Sequence, residues 1–548
     1  MKRTVAWLLA LMMLLTAIPA LGETLTGEAD GFGGRIVAEV TVEDGRIVGL
    51  TLTGDGETPD VGGRALEPLA EAILAAGTID GVDAYTGATW TSNGVFAAVR
   101  DALGIEAPEA EGAEAAAVSA SALNQGIAIV ATPRLGPGKD DQEVPVYSFN
   151  AVVAYVVTDA QGRILDLQVD ILEVITPNHA SAEDNKLAGW PGEGYNADAD
   201  GDGAVEGETV QTEDDFIANL PGWRTKRALG DIYKINSGTW AQEMDLFQPV
   251  FRGKTAAELD AWAEKFLSGV NGRPLHGTSE NEDDIARWDA LTDDERAEMD
   301  AISGATISLT DSHGDILGAV RKALAHQVPV DAAADVASLG LGVAVTPRLG
   351  PGKDDRETPV YSLNIVAAGA IYDAEGAIVA AREDILEVIT PNHDSVHDSK
   401  FTGWPGQSYN ADLDGDGTVE DVLEQTEDSF VEQVNAFVTK RDLDADYKLN
   451  SGTWAQEVDI FEAFFAGKTV GELRAFFERQ CAANGSVIRE GATDEADLAK
   501  WNALTDAEKA DVDALSGATI SLSDAHGDML GALEASWANA RSSVITVE

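Results

Sequence analysis

Arg35-Ile-Val-Ala-Glu-Val-Thr-Val42 alternates apolar and polar residues with a period of two, Asp44-Gly45 supplies a tight turn, and Arg46-Ile-Val-Gly-Leu-Thr-Leu-Thr53 alternates again. Two alternating runs around Asp-Gly read as a β-hairpin with one buried face. A stretch with helical spacing, Leu66 to Ala76, follows it. The same logic recurs further along: Tyr147 to Thr158, a turn at Asp159-Ala-Gln-Gly162, then Ile164 to Leu172. Helices are expected over Ala256 to Leu267 and Thr469 to Gln480. Strands come first and helices after, without βαβ alternation, so the fold class is α+β, built on twisted antiparallel sheets with packed helices.

Self-comparison sets the organisation. Thr132-Pro-Arg-Leu-Gly-Pro-Gly-Lys-Asp-Asp141 recurs from Thr346 to Asp355, Asp170-Ile-Leu-Glu-Val-Ile-Thr-Pro-Asn-His179 from Asp384 to His393, Gly189-Trp-Pro-Gly192 from Gly403 to Gly406, and Asn236-Ser-Gly-Thr-Trp-Ala-Gln-Glu243 from Asn450 to Glu457, each at an offset of 214 residues. Three tandem units are therefore expected: a short one at 23–104 and two long near-duplicates at 121–326 and 336–540. An Ala/Glu-rich stretch at 105–120 and a Pro-containing one at 327–335 read as linkers, and 541–548 as a tail. Residues 1–22 read as a secretory signal peptide, with Lys2 and Arg3 before an apolar run and Ala20-Leu-Gly22 offering a cleavage site. The mature protein is thus expected outside the cytoplasm, secreted or associated with the cell envelope.

With 37 basic and 95 acidic residues, the formal charge is -58. Such a surface repels nucleic acid, which is excluded as a partner, and it repels anionic lipid. A single cysteine, Cys481, leaves no internal disulfide and too few thiols for an iron–sulfur cluster or a Cys-rich zinc site.

The three units share one ending. Asp83-Ala-Tyr-Thr-Gly-Ala-Thr89 matches Asp300-Ala-Ile-Ser-Gly-Ala-Thr306 and Asp513-Ala-Leu-Ser-Gly-Ala-Thr519. Gly87, Gly304 and Gly517 stand between small residues: Thr86, Ser303 and Ser516 before, Ala88, Ala305 and Ala518 after. Such a loop lets backbone N–H groups approach an anion. Helices expected from Ser92, Asp311 and Asp524 would place their N-termini, which attract phosphate, just beyond it. Each closing threonine offers a hydroxyl there. A single copy reads as a helix-capping turn, but three copies at equivalent places point to attachment of a phosphate-bearing group.

This motif resembles the flavinylation signature of the FMN-binding domain family, which includes the C subunit of sodium-pumping NADH:quinone oxidoreductase, the G subunit of Rnf complexes and extracytosolic flavoproteins with several such domains. The resemblance implies three tandem FMN-binding domains, with FMN moved from FAD by a flavin transferase onto Thr89, Thr306 and Thr519 through a phosphoester bond. It implies an electron carrier between a membrane donor and a downstream acceptor or reductase, rather than a stand-alone enzyme. The alternatives are a flavin-dependent reductase acting directly on a small acceptor and a calcium-stabilised surface-binding protein. The first unit departs mildly, with Thr86 for Ser and Trp90 for Ile307 and Ile520. Thr225-Lys-Arg227 and Thr439-Lys-Arg441, and Gly253-Lys-Thr255 and Gly467-Lys-Thr469, look like segments of the family's larger variants. Trp240 and its counterpart Trp454 are read as core residues, with a flavin contact as the alternative.

Asp198, Asp200, Asp202 and Glu206, repeated as Asp412, Asp414, Asp416 and Glu420, follow the start of a calcium loop: acids at positions 1, 3, 5 and 9, Gly at 6. Position 12 is Thr209 or Leu423, so a bidentate ligand would come from Glu208 or Glu424. Structural Ca2+ is expected in both loops. His313 and His526, seven residues past the threonines, read as hydrogen-bonded residues in a helix first turn, and His179 and His393 as turn residues.

Overall fold

The computed structural model describes residues 24–30, 35–43, 46–54, 62–79, 82, 89–103, 118–235, 238–330, 334–449 and 451–547. These fall into two compact units. One takes the described residues up to 103 together with Lys234–Leu246 and Pro274–Thr306; the other takes those from 118 to Tyr233, Phe247–Arg273 and the residues from Ile307 on.

The first unit opens with an antiparallel sheet of β1 (Thr24–Asp30), β2 (Arg35–Glu43) and β3 (Arg46–Thr53), in the order β1-β2-β3. The hairpin expected from sequence is β2–β3, with Val40 opposite Leu50 and Glu43 opposite Arg46; β1 is an addition. Ile36, Ala38 and Val40 from one sheet face meet Leu69 and Ile73 of α1 (Gly62–Ala76) and Val95 and Val99 of α2 (Thr89–Leu103) in one buried cluster. A Cβ at Gly27 would lie 2.0 Å from the Ala102 backbone nitrogen, so β1 lies directly on α2 only because that residue has no side chain.

The second unit holds two sheets. β4 (Leu123–Lys139), β5 (Pro145–Asp159) and β6 (Ile164–Ile175) form an antiparallel meander, and β7 (Val336–Lys353), β8 (Pro359–Tyr372) and β9 (Ile378–Ile389) form another. Register is preserved at the 214-residue offset: Ala154 faces Val169 in one meander and Ala368 faces Glu383 in the other. Helix α3 (Ile316–Ala325) packs on the first meander, where a Cβ on Gly126 would lie 2.1 Å from the Ala323 carbonyl. At the equivalent Gly340 it would lie 2.0 Å from the Ser536 carbonyl of a later helix, Met529–Ala538. The central strands β5 and β8 are buried on both faces, so their second halves read as unbroken apolar runs, Ala151 to Val157 and Ile365 to Tyr372.

The two meanders share one core, and their contacts are reciprocal. Trp190 Nε1–H donates to the Phe401 carbonyl at 2.7 Å, and Trp404 Nε1–H donates to the Leu187 carbonyl at 2.7 Å. Tyr147 donates to Glu427 at 2.8 Å, and Tyr361 donates to Glu213 at 2.7 Å. Each contact maps onto its partner by the repeat offset, the pattern of a self-complementary two-fold interface within one chain. Phe149, Phe401, Trp404 and Phe430 pack at 5.5–6.3 Å between ring centroids at its centre.

Three expectations need correction. The tail is a strand: β10 (Arg541–Val547) pairs antiparallel with β7 and parallel with Val118–Ala120, residues expected to belong to a linker. Val328–Pro329 of the second linker pairs with β4. The sheets are therefore mixed at their edges, because backbone groups on an edge strand recruit any extended segment held beside them. In the long repeats the helix after the motif begins only at Ile316 and Met529, behind N-caps Asp315 and Asp528.

Candidate functional site

The C-terminal copy of the motif shows how the local sequence builds the site. Thr505 caps the helix Asp506–Ala514 with a capping box, and that helix ends into the motif, where the Ser516 N–H donates to the Asp513 carbonyl at 3.1 Å. Ala518 is buried and pins the loop, while Ser516, Gly517 and Thr519 stay exposed. Arg489 clamps the loop from outside, donating to the Ser516 carbonyl at 2.9 Å and to the Ala518 carbonyl.

The Thr519 hydroxyl is held by a residue that sequence reasoning passed over. Thr453 caps the helix Trp454–Phe465, and Glu457 in its first turn is buried. The Glu457 carboxylate accepts from the Thr519 hydroxyl at 2.9 and 3.0 Å, from the Thr519 N–H at 2.5 Å and from the Ile520 N–H at 3.0 Å. Ser451 donates to the same carboxylate at 2.5 Å. In the other unit, Glu243 on the helix Trp240–Asp245 does the same for Thr306, accepting from its N–H at 2.6 Å and its hydroxyl at 2.9 and 3.2 Å. Both glutamates end the repeated Trp-Ala-Gln-Glu run, and their recurrence at nearly the same spacing before the motif, 63 and 62 residues, was the available signal.

Thr519 stands on the rim of an open cleft of about 220 Å³, walled by Trp454, Tyr447, Ile385, Lys440 and His526. Lys440 is buried; its ammonium lies 5.6 Å from the Tyr447 ring centre and 5.9 Å from that of Trp454, and pairs with Glu387 at 3.2 Å. Burial alone would raise the Glu387 carboxyl, but Lys440 and Arg348 outweigh it and hold it at about 2. Glu173 is held at about 2 in the same way, against its own burial, by Lys226 and Arg134. Trp240 and Trp454 are both buried, and Trp454 also walls the cleft.

Asp300 and Asp513 lie in the last turns of their helices with exposed side chains, outside these hydrogen bonds; Ala305 is buried, Gly304 half-buried and Ser303 exposed. The N-termini of the following helices lie beyond an intervening turn, so at Thr306 and Thr519 the buried carboxylates of Glu243 and Glu457, not those helix ends, hold the hydroxyls. Thr89 does open a helix; Asp83, Thr86, Gly87 and Ala88 lie outside the described residues. His313 and His526 are not in a helix first turn: each sits in the preceding turn, ring nitrogen toward Asp311 at 2.9 Å or Asp524 at 3.0 Å.

In each acidic loop four carboxylates converge, Asp198, Asp200, Asp202 and Glu206 in one and Asp412, Asp414, Asp416 and Glu420 in the other, with ligand atoms within 4.8 Å of one another. Asp198 and Asp412 are buried, and the loop turns on Gly201 and Gly203, or Gly415 and Gly417, at φ between 71° and 88°. Glu208 and Glu424 are not among the converging carboxylates; each lies on a short strand leading away from its loop. Cys481 is buried, and burial pushes its thiol up to about 12, so it is no nucleophile. Among the described residues, no helix is long and apolar enough to cross a membrane.

Residues 31–104 match the FMN-binding domain family, so the chain carries an FMN-binding domain there. The chain is also similar to a protein named chlorophenol reductase from Desulfitobacterium hafniense, at 29% identity over 204 residues, 35% of this chain. The match spans about half, 55%, of that relative's length. The matched family marks residues 31–104 as an FMN-binding segment.

Proposed function

We propose that the chain is an extracytosolic electron carrier bearing FMN covalently, in phosphoester linkage, on Thr89, Thr306 and Thr519. The observation that carries this reading is the placement of two threonine hydroxyls, in equivalent motifs, each held by a buried carboxylate at about 3 Å. A capping turn alone has no use for a buried glutamate aimed at its last side chain, whereas an acceptor hydroxyl does. The cleft beside Thr519 fits the group: two aromatic side chains suit a flat ring system, and the Lys440 cation lies within 6 Å of both ring centres. When bound, the flavin supplies one- and two-electron redox chemistry; the protein fixes its position and its electrostatic surroundings. Outside the cytosol, a covalent bond prevents loss of the cofactor by dilution.

On this reading the partners are a flavin transferase using FAD, a membrane electron donor, and a downstream acceptor or reductase. Ca2+ in the two acidic loops rigidifies them; the convergence of four carboxylates around left-handed glycines supports this. A second reading, direct reduction of a small acceptor, is favoured by the name of the relative and separated by steady-state turnover with candidate acceptors. The deciding experiment is the intact mass and peptide map of protein purified from its native envelope. Three FMN adducts on the named threonines are expected; a colourless chain of unmodified mass, from cells that flavinylate other proteins, refutes the reading.

A further inference from the structure

A threonine hydroxyl is a weak nucleophile until a base takes its proton. At Thr519 the candidate base is already in place: Glu457 is buried, 1% exposed, and its carboxylate lies 2.9 Å from Oγ1. The backbone N–H groups of Thr519 and Ile520 and the Ser451 hydroxyl fix the carboxylate. Glu243, also 1% exposed, stands in the same relation to Thr306 in the other unit. The same pairing at two separate places, each within hydrogen-bond reach of the reacting atom, meets the geometric requirement for general-base catalysis.

We propose that Glu457 and Glu243 are the general bases of the chain's own flavinylation, so that the acceptor domain supplies a catalytic residue to the transferase reaction. This rests on the reading of Thr519 and Thr306 as flavin acceptors. Oγ1 attacks the phosphorus of the FMN half of FAD; the Oγ1–P bond forms, the P–O bond to the bridging oxygen breaks, and AMP departs with that electron pair. The hydroxyl proton passes to the glutamate and from there to the departing AMP or solvent. No oxidant or reductant enters. The short unit has no Trp-Ala-Gln-Glu run before its motif, so the proposal covers Thr306 and Thr519 and does not extend to Thr89.

The test uses the full chain purified from cells without flavin transferase, then incubated with transferase and FAD. Flavin on each threonine is followed over time by peptide mass spectrometry. Glu457→Gln keeps an oxygen that can accept from the backbone N–H groups but removes the base. Its labelling at Thr519 is expected to fall by about 100-fold or more, with Thr306 and Thr89 labelled at the wild-type rate; Glu243→Gln gives the converse. Glu457→Asp, which retains a carboxylate, is expected to recover part of the rate. Labelling of Thr519 at the wild-type rate in Glu457→Gln, or equal loss in the Gln and Asp variants, overturns the base while leaving the acceptors intact. A wild-type chain that takes flavin on no threonine overturns the acceptor reading, and the base with it.

Discussion

Glu383 sits on β9 with 0% exposure, and neither of its carboxylate oxygens accepts a hydrogen bond. Its surroundings are mixed. Glu462 abuts it, accepting from the Glu383 N–H at 2.7 Å, and Asp528 faces it, while Arg441 offers partial compensation. Burial, then Glu462, raise the Glu383 pKa well above the ordinary carboxylate range, against the pull of Arg441. The matching position in the other meander is Val169, opposite Ala154 as Glu383 is opposite Ala368, so Glu383→Val installs a side chain that this backbone already accommodates. An unsatisfied buried polar group costs about 1–3 kcal/mol. The smaller valine returns about 1 kcal/mol of that through looser packing. A net gain of up to about 2 kcal/mol is expected at pH 8. The sign with pH follows from linkage. A carboxyl whose folded pKa is raised above 4.5 weakens the fold progressively as pH rises from 4.5 through the folded value. The advantage of valine should therefore shrink toward pH 5. Calorimetry of the full chain at both pH values, following the transition that the variant moves, measures it. A variant less stable than wild type at pH 8, or an advantage identical at both pH values, would show that the carboxyl is not the burden argued here.

Glu387, depressed from 4.5 to about 2, contributes stability that is complete above 4.5 and lost as pH falls toward 2. That drop corresponds to about 3 kcal/mol, so acid titration of unfolding should steepen in this window in the wild type and flatten in Glu387→Gln. Trp404→Ala should cost about 3–5 kcal/mol, because it empties the aromatic centre and leaves the Leu187 carbonyl without its donor; the transition of the second unit is the readout. Calcium at 100-fold over its dissociation constant should stabilise that unit by about 2.7 kcal/mol per loop, and Asp412→Asn should remove one of two binding events in calorimetric titration.

The strands were legible where one chain segment carried its own signal. Period-two alternation around Asp44-Gly45 and Asp159-Ala-Gln-Gly162 gave both hairpins nearly to the residue. Arg541-Ser-Ser-Val-Ile-Thr-Val547 carries no period-two alternation and no turn, and its partner β7 lies about 200 residues away. Helix starts after the motif were misplaced because the polar residues between Ser308 and Asp315 satisfy one another: the Ser308 hydroxyl donates to the Asn271 carbonyl, and Asp311 accepts from His313. The motif itself was readable, since small residues around glycine have few other uses. Its glutamate was not, because 62 residues separate Glu457 from Thr519 and only the folded chain brings the two together.

The two long repeats have not diverged evenly, and the difference separates what each residue is for. Tyr147 and Tyr361, Trp190 and Trp404, Glu213 and Glu427 are the same residue at both places, and each donates or accepts across the shared interface. Glu173 with Lys226, and Glu387 with Lys440, are likewise the same at both places; removing the glutamate of either pair would leave a buried ammonium without its carboxylate, a loss of about 3–5 kcal/mol. Such positions cannot change singly. Val169 and Glu383 share a backbone register and a buried environment, and neither Glu383 carboxylate oxygen has a hydrogen-bond partner, so the side chain here differs between the meanders without breaking a hydrogen bond. It lies two residues from Ile385, on the same face of β9, and Ile385 walls the cleft beside Thr519. The two meanders thus share their interface and their ion pairs and differ in charge at a buried position beside the cleft, so Glu383→Val tests what that one difference does while the shared contacts stay in place.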